Sequence, residues 1–295
     1  MNTGGEKRRL RILVTGANGQ LGREIRQLSA NHELRFFFLS KQELDISNRT
    51  AVEICFSSNK PDYCINCAAY TAVDRAETER EKAFLINAEG VGTISKACLD
   101  SGTRLIHIST DYVFDGKSSQ PYSEDEAVKP STIYGESKAR GERAILGSEV
   151  DAIIIRTSWL YSEFGNNFVK TMLRLMSERN EIRVVNDQWG SPTYAKDLGE
   201  VVLNIIANSN VVWKKGIFHF SNLGITNWYE FALAIKELAG MNCRVLPIPT
   251  VEYPTLAQRP PYSALDTKKI VEVFDAGLRH WKESLSECLN RLKAS

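Results

Sequence analysis

Short, continuous apolar runs alternate along the first half of the chain with segments whose apolar residues recur every three or four positions. The run "RILVTG" (11–16) is rich in β-formers and ends in glycine, which predicts a buried strand. "QLGREIRQLSA" (20–30) follows with Leu21, Ile25 and Leu28 on one helical face. The same rhythm gives strands at 34–40, 63–69, 104–110 and 151–159. Helices are predicted at 48–59, with Asn48 as N-cap, over a long stretch at 76–100, and at 133–146. Strands that are apolar throughout, alternating with helices, imply a parallel sheet covered on both faces. The expected fold is therefore α/β, a Rossmann-like, doubly wound parallel sheet.

Beyond residue 160 the rhythm loosens. Helices are predicted at 166–178, 195–208, 226–239 and 277–292, with strands at 182–187, 216–222 and 244–248 and a Pro-rich loop at 247–261. These segments suggest a smaller C-terminal α/β lobe over the carboxyl edge of the sheet, where open α/β sheets bind ligands. The expected division is 10–157 plus about 187–222 for a dinucleotide-binding domain, and about 158–186 plus 223–295 for a substrate lobe.

Composition narrows the function classes. Thirty-seven basic and thirty-six acidic side chains leave a formal charge of +1, so no strong field draws in nucleic acid or an anionic membrane. No window approaches the roughly 18 consecutive apolar residues that a membrane span needs. The start, "MNTGGEKRRLRILVTG", reads as a ragged tail before the first strand, not a signal peptide. Of the six cysteines, Cys64 and Cys67 form a C-x-x-C, but "DYCINCAA" reads as a buried strand whose positions three apart face opposite ways. No second pair exists for zinc, and scattered thiols fit a reducing cytoplasm. His107 and His219 lie in apolar strands and read as packed core; His32 and His280 read as surface.

Two stretches carry chemistry. "TGANGQLG" (15–22) sets Gly16, Gly19 and Gly22 between a strand and a helix, where glycine lets backbone approach a pyrophosphate and the helix N-terminus points N–H groups at it. The second strand runs into Ser40 and Lys41, which would tolerate a 2′-phosphate and favour NADPH, with NADH the alternative. Asp45 suits a helix cap or an adenine contact. The second stretch is "STIYGESKARGE" (131–142), where Tyr134 and Lys138 share a helical face. An ammonium beside a phenol favours the phenolate and eases proton donation. Thr110, at the end of the fourth strand, could bond the oxygen that Tyr134 protonates, with Ser109 in reserve.

These motifs, with "NCAAYTAVDRAE" (66–77) and "HISTDYVFDG" (107–116), resemble the extended short-chain dehydrogenase/reductases. "RTSWLYSEFGNNFVKTML" (156–173), "VNDQWGSPTYAKDL" (185–198) and "RPPYSALDTKK" (259–269) narrow the resemblance to the dTDP-4-dehydrorhamnose reductase family, over about residues 10–290. The resemblance implies NAD(P)H-dependent reduction of a 4-keto dTDP-sugar by a cytoplasmic enzyme, and it allows a homodimer. It places Gly19, Gln20 and Leu21 on the cofactor phosphates, Asp45 and Ile46 at the adenine, and Ala69, Tyr70 and Thr71 along the ribose and nicotinamide. Thr110 and Asp111 would meet the sugar, Tyr134 would be the acid and Lys138 its partner. Trp159 would pack on the substrate and Val73 on the deoxysugar face. Arg259 is the sharpest basic candidate for the substrate diphosphate.

The match departs at two points. Some members hold Mg²⁺ between subunits through glutamates. Glu24 matches the first position, but Lys196 stands where a second acid is expected, so no metal is predicted. A glycine after "SWLY" is replaced by Ser162, with little consequence expected. Related dehydratases carry a second acid after the threonine, where this chain has Tyr112, and related epimerases show no net reduction. A rival of another class is a non-catalytic NADP-binding subunit like that of methionine adenosyltransferase. It would be free to lose Thr110, Tyr134, Lys138 or Trp159, and all four are present.

Overall fold

The structure, a computed structural model, describes residues 8–208 and 210–294; most of the N-terminal tail discussed above lies outside them. Five strands of the first half, β1 (Arg11–Thr15), β2 (Arg35–Leu39), β3 (Tyr63–Asn66), β4 (Arg104–Thr110) and β5 (Ala152–Thr157), join one sheet. The strand β6 (Glu181–Val185) lies elsewhere, and β7 (Gly216–His219) returns to close the sheet's far edge. The order is β7-β5-β4-β3-β1-β2, all parallel. Strand order reverses around β1, so the crevice between β1 and β3 is the topological switch point where such sheets take their ligands.

Period-two alternation explains the two layers. Ile12, Val14, Ile65, Ile106, Ile153 and Ile155 face α1 (Gln20–Leu28) and the helix at 195–207, in one buried cluster. Leu13, Cys64, Leu105 and Ile154 point the other way, onto α2 (Arg49–Asn59), α3 (Val91–Ser101) and α4 (Ile133–Leu146). Asn48 caps α2 as expected, its Oδ1 accepting from the Ala51 N–H at 3.1 Å.

A second cluster joins α5 (Phe168–Glu178), α7 (Trp228–Ala239), α8 (Trp281–Lys293) and strand β6, whose parallel partner is β8 (Arg244–Ile248). The helix α6 (Ala195–Ala207) bridges back to the sheet layer. Among the described residues no helix is long and apolar enough to cross a membrane.

Four elements differ from the sequence reading. The long helix expected at 76–100 is broken into Val73–Ala76, Arg80–Phe84, a π-helical stretch Leu85–Gly90, and α3. The break serves packing: α4 crosses the π-helical stretch so closely that a Cβ on Gly141 would lie 2.1 Å from the Asn87 carbonyl oxygen. Strand β3 ends at Asn66 rather than 69, because the next residues pair with a side chain instead of a neighbouring strand. The Tyr70 N–H donates to Asn87 Oδ1 at 2.8 Å, and Asn87 Nδ2 returns the bond to the Tyr70 carbonyl at 3.0 Å. Strand β5 stops at Thr157, since Trp159 takes a left-handed backbone with φ 47°. A short helix, Lys268–Phe274, was not anticipated.

Candidate active site

A crevice of about 790 Å³ opens at the carboxyl ends of β1, β3, β4 and β5. Its phosphate-sized end is backbone. Gly16 has φ +64°, and a Cβ there would sit 2.6 Å from the Ala68 backbone nitrogen, so only glycine lets the first turn close against the end of β3. Gly19 N-caps α1 with no side-chain cap, leaving the first N–H groups of the helix facing the crevice beside Gln20, Leu21 and Gly22. This glycine-walled cradle at a helix N-terminus fits a dinucleotide pyrophosphate.

Beyond the cradle, Lys41, Asp45 and Ile46 line one end. Asp45 is held by Ser47, whose N–H and hydroxyl donate to Oδ1 at 3.0 and 2.6 Å, and these bonds keep its carboxyl below the ordinary range. Ser40 does not line the crevice. It is buried, and its N–H donates to Glu43 at 2.7 Å, so its part in the expected cofactor contact passes to Lys41. Ala69 and Thr71 line the middle, but Tyr70 between them turns into a small buried cluster with Ala76 and Ala83. Period-two geometry in an extended segment sends the middle residue the other way.

At the centre, Tyr134 and Lys138 of α4 meet the end of β4. Thr132 caps α4 by accepting from the Gly135 N–H at 3.0 Å, which sets Tyr134 in the first turn. Tyr134 and Thr110 both line the crevice. Thr110 donates to Asp111 Oδ1 at 2.9 Å and accepts from the Tyr112 N–H. Burial pushes the Asp111 carboxyl up to about 6, partly offset by the nearby Ser263 and Thr110 hydroxyls.

The expected tuning of the phenol by Lys138 is not what the geometry gives. Burial pushes Tyr134 up to about 12, with Thr110 opposing and Asp111 adding to the rise. The reason is where the ammonium goes. Lys138 is 2% exposed, and its Nζ donates to the Ile108 carbonyl at 2.7 Å and lies 3.4 Å from His107 Nε2. Burial pushes Lys138 down to about 8, opposed by Glu142. Ser109, the reserve candidate, is also turned away and donates to Glu142 at 2.5 Å.

Another part of the crevice wall is apolar and aromatic. Val73 and Trp159 line the crevice, and Trp159 stacks on Trp228 with centroids 3.5 Å apart and planes 9° from parallel. Arg259 stands outside the crevice lining. Its two terminal nitrogens fork onto Asp74 at 2.7 Å each, so its charge is already matched in this state. Glu24 is buried against Glu163 and Arg291, while the Lys196 ammonium contacts Glu287 at 2.5 Å and Glu200 at 3.3 Å. Among the described residues, no three His, Cys, Asp or Glu side chains are grouped to hold a metal ion. Ser162 does not adopt a positive φ.

Two residues matter that the sequence reading passed over. Asn87 pins the crevice wall at Tyr70 and also donates to Ser137 at 3.0 Å. Glu142, on the same helical face as Tyr134 and Lys138, is forked by Arg156 of β5 at 2.9 and 2.7 Å. The i, i+4, i+8 spacing of Tyr134, Lys138 and Glu142 was the available signal.

A parallel sheet with a glycine cradle at its switch point and a Thr–Tyr–Lys cluster across the crevice defines an extended short-chain dehydrogenase/reductase. A family model described as the RmlD substrate binding domain matches residues 10–294. The chain belongs to that family, the dTDP-4-dehydrorhamnose reductases. It is 46% identical to the spore coat polysaccharide biosynthesis protein SpsK of Bacillus subtilis, over 95% of this chain and 96% of that one. It is 42% identical to dTDP-4-dehydrorhamnose reductase of Aggregatibacter actinomycetemcomitans, over 93% and 97%. The crystal structure of dTDP-4-dehydrorhamnose reductase from Bacillus anthracis in complex with NADP superposes with a TM-score of 0.91. It is 40% identical and covers 96% of this chain and 100% of that one.

Proposed function

We propose that this chain reduces the 4-keto group of dTDP-4-dehydro-L-rhamnose to give dTDP-L-rhamnose, with NADPH as its preferred reductant. Family membership supports the reaction. The gathering of Thr110, Tyr134 and Lys138 on the crevice wall beside Trp159 and Val73 is the observation that carries the site. We assign the sheet and its helices (10–157 with about 187–222) to the cofactor, and the second cluster (about 158–186 with 223–295) to the sugar nucleotide.

When bound, a reduced nicotinamide supplies hydride to the carbonyl carbon. The chain's own residues manage the charge that develops on the oxygen. Tyr134 keeps its proton at neutral pH, because burial raises its pKa to about 12. It is therefore a loaded donor, released only to a strong base such as an alkoxide. Thr110 holds the same oxygen in register. Asp111, ionised at neutral pH, accepts a sugar hydroxyl. Trp159 offers a ring face to the apolar side of the deoxysugar, and Val73 closes that side. Lys138, anchored on Ile108, holds its Nζ for the cofactor ribose. Arg259 must leave Asp74, or share it, to reach a diphosphate.

The test is loss of NADPH absorbance on adding the 4-keto dTDP-sugar. Consumption by the wild type but not by Tyr134→Phe supports the reading. Binding of NADPH without turnover would replace it with the non-catalytic role.

A further inference from the structure

The crevice wall at Trp159 is held in an unusual way. Trp159 has a left-handed backbone, φ 47°, which a bulky side chain keeps only where its surroundings force it. Both neighbours are pinned to one segment. The Ser158 hydroxyl donates to the Ser191 carbonyl at 2.7 Å, and Leu160–Tyr161 pairs in parallel with Thr193–Tyr194. The kink falls between these anchors and sets the indole against Gly190 and Trp228. A two-stranded ribbon delivers both partners. Trp189–Gly190 pairs antiparallel with Thr226–Asn227, with Gly190 opposite Thr226. Asn227 then caps α7, its Oδ1 accepting from the Glu230 N–H at 2.8 Å, so Trp228 opens the helix. Gly190 has no positive φ, so its backbone does not call for glycine. The ring does: a Cβ on Gly190 would lie 2.7 Å from Trp159 Cε2 and 2.9 Å from Cζ2. Trp228 stacks on the indole with centroids 3.5 Å apart, and Phe168 of α5 packs on Trp228 at 4.6 Å. Trp159 lines the crevice, whereas Gly190, Trp228 and Phe168 do not.

We propose that Trp228 is a positioning residue for sugar recognition: its stacked ring, with the space left by Gly190, holds the Trp159 indole in the orientation that meets the sugar. The inference deepens the reading above and rests on it, since there Trp159 meets the apolar side of the deoxysugar. Aromatic pairs favour particular offsets and tilts, so a second indole fixes the plane of the first as an aliphatic side chain cannot. A strained backbone persists only while its surroundings over-determine it, so removing the stack lets Trp159 relax. Thr110, Tyr134 and Lys138 stand on β4 and α4, apart from the ribbon and α7. The proton donor therefore keeps its place when the indole tilts, and loss of Trp228 weakens sugar binding more than turnover.

Trp228→Leu keeps an apolar side chain and removes the ring, and Trp228→Phe restores a flat one. In Trp228→Leu the KM for the 4-keto dTDP-sugar is expected to rise about tenfold, with kcat and the NADPH dissociation constant within about threefold of wild type. Trp228→Phe is expected to recover most of that loss. A wild-type KM in folded Trp228→Leu overturns the proposal, and so does a phenylalanine variant no better than the leucine one. Equal damage to KM, kcat and NADPH affinity also overturns it, because a merely structural tryptophan would give that result. Gly190→Ala reaches the same indole from the ribbon and decides the matter where the Trp228 variants fail to fold. Its methyl displaces the ring and raises KM with kcat retained; an unchanged KM overturns the proposal. The crystal structure of Trp228→Leu without ligands supplies a reading free of turnover. A Trp159 ring moved from its wild-type place is expected, and an unmoved ring overturns the proposal. Because that structure involves no sugar, its failure is distinguishable from failure of the assigned reaction.

Discussion

At the scale of single residues, the site stores a proton rather than priming its release. Tyr134 is buried, and that burial holds its pKa well above the ordinary phenol range. Tyr134→Phe is therefore expected to lower kcat by about a hundredfold or more while leaving the NADPH dissociation constant near normal. Stopped-flow turnover and fluorescence titration separate the two, and equal losses in both would make the tyrosine structural. Lys41 lines the cofactor end of the crevice, next to a Ser40 that is turned inward. Lys41→Ala should weaken NADPH more than NADH by roughly tenfold, the worth of one charge-assisted bond. An unchanged ratio of the two dissociation constants would remove the preference for NADPH.

Individual elements were unevenly legible. The glycine turn, the five strands of the first half and the Y-x-x-x-K helix stand where the hydrophobic pattern puts them, apart from the early ends of β3 and β5, because each is decided by local periodicity and capping. What the pattern hid was decided by contact across the fold. The π-helical stretch Leu85–Gly90 continues the apolar spacing of its neighbours, so nothing local marks it. Only the close crossing by α4 and the double bond of Asn87 to Tyr70 explain it. The fate of Lys138 was hidden for the same reason: helical spacing puts it beside Tyr134, but the Ile108 carbonyl captures it. Gly141 is the test of this packing. Gly141→Ala sets a methyl 2.1 Å from the Asn87 carbonyl. It is expected to cost about 1–3 kcal/mol in urea denaturation and to lower turnover by shifting α4. A variant as stable and active as the wild type would show that the crossing has slack.

Over the whole molecule, a buried acidic pair ties the sheet layer to the second cluster. Glu24 of α1 lies 0% exposed beside Glu163, with Arg291 of α8 at 3.8 Å from the former and 2.8 Å from the latter. Burial first, then Glu163, pushes Glu24 up from 4.5 to about 8. A carboxyl raised on folding binds its proton more tightly in the native state. Its contribution to stability is full below 4.5 and is lost as pH rises through about 8. Glu24→Gln should flatten that slope in urea midpoints measured across the interval, and an identical slope would place the proton elsewhere. The path of the backbone has its own result. After β5 the chain leaves the sheet for α5 and β6, comes back as α6 and β7, leaves for α7 and β8, touches the sheet layer again at the helix Lys268–Phe274, and ends in α8. Neither half is one continuous stretch of gene. A chimera that borrows the second cluster of a relative needs splices on both sides of each returning segment, and a single protease nick between β5 and β7 leaves fragments still interlocked through the edge strand.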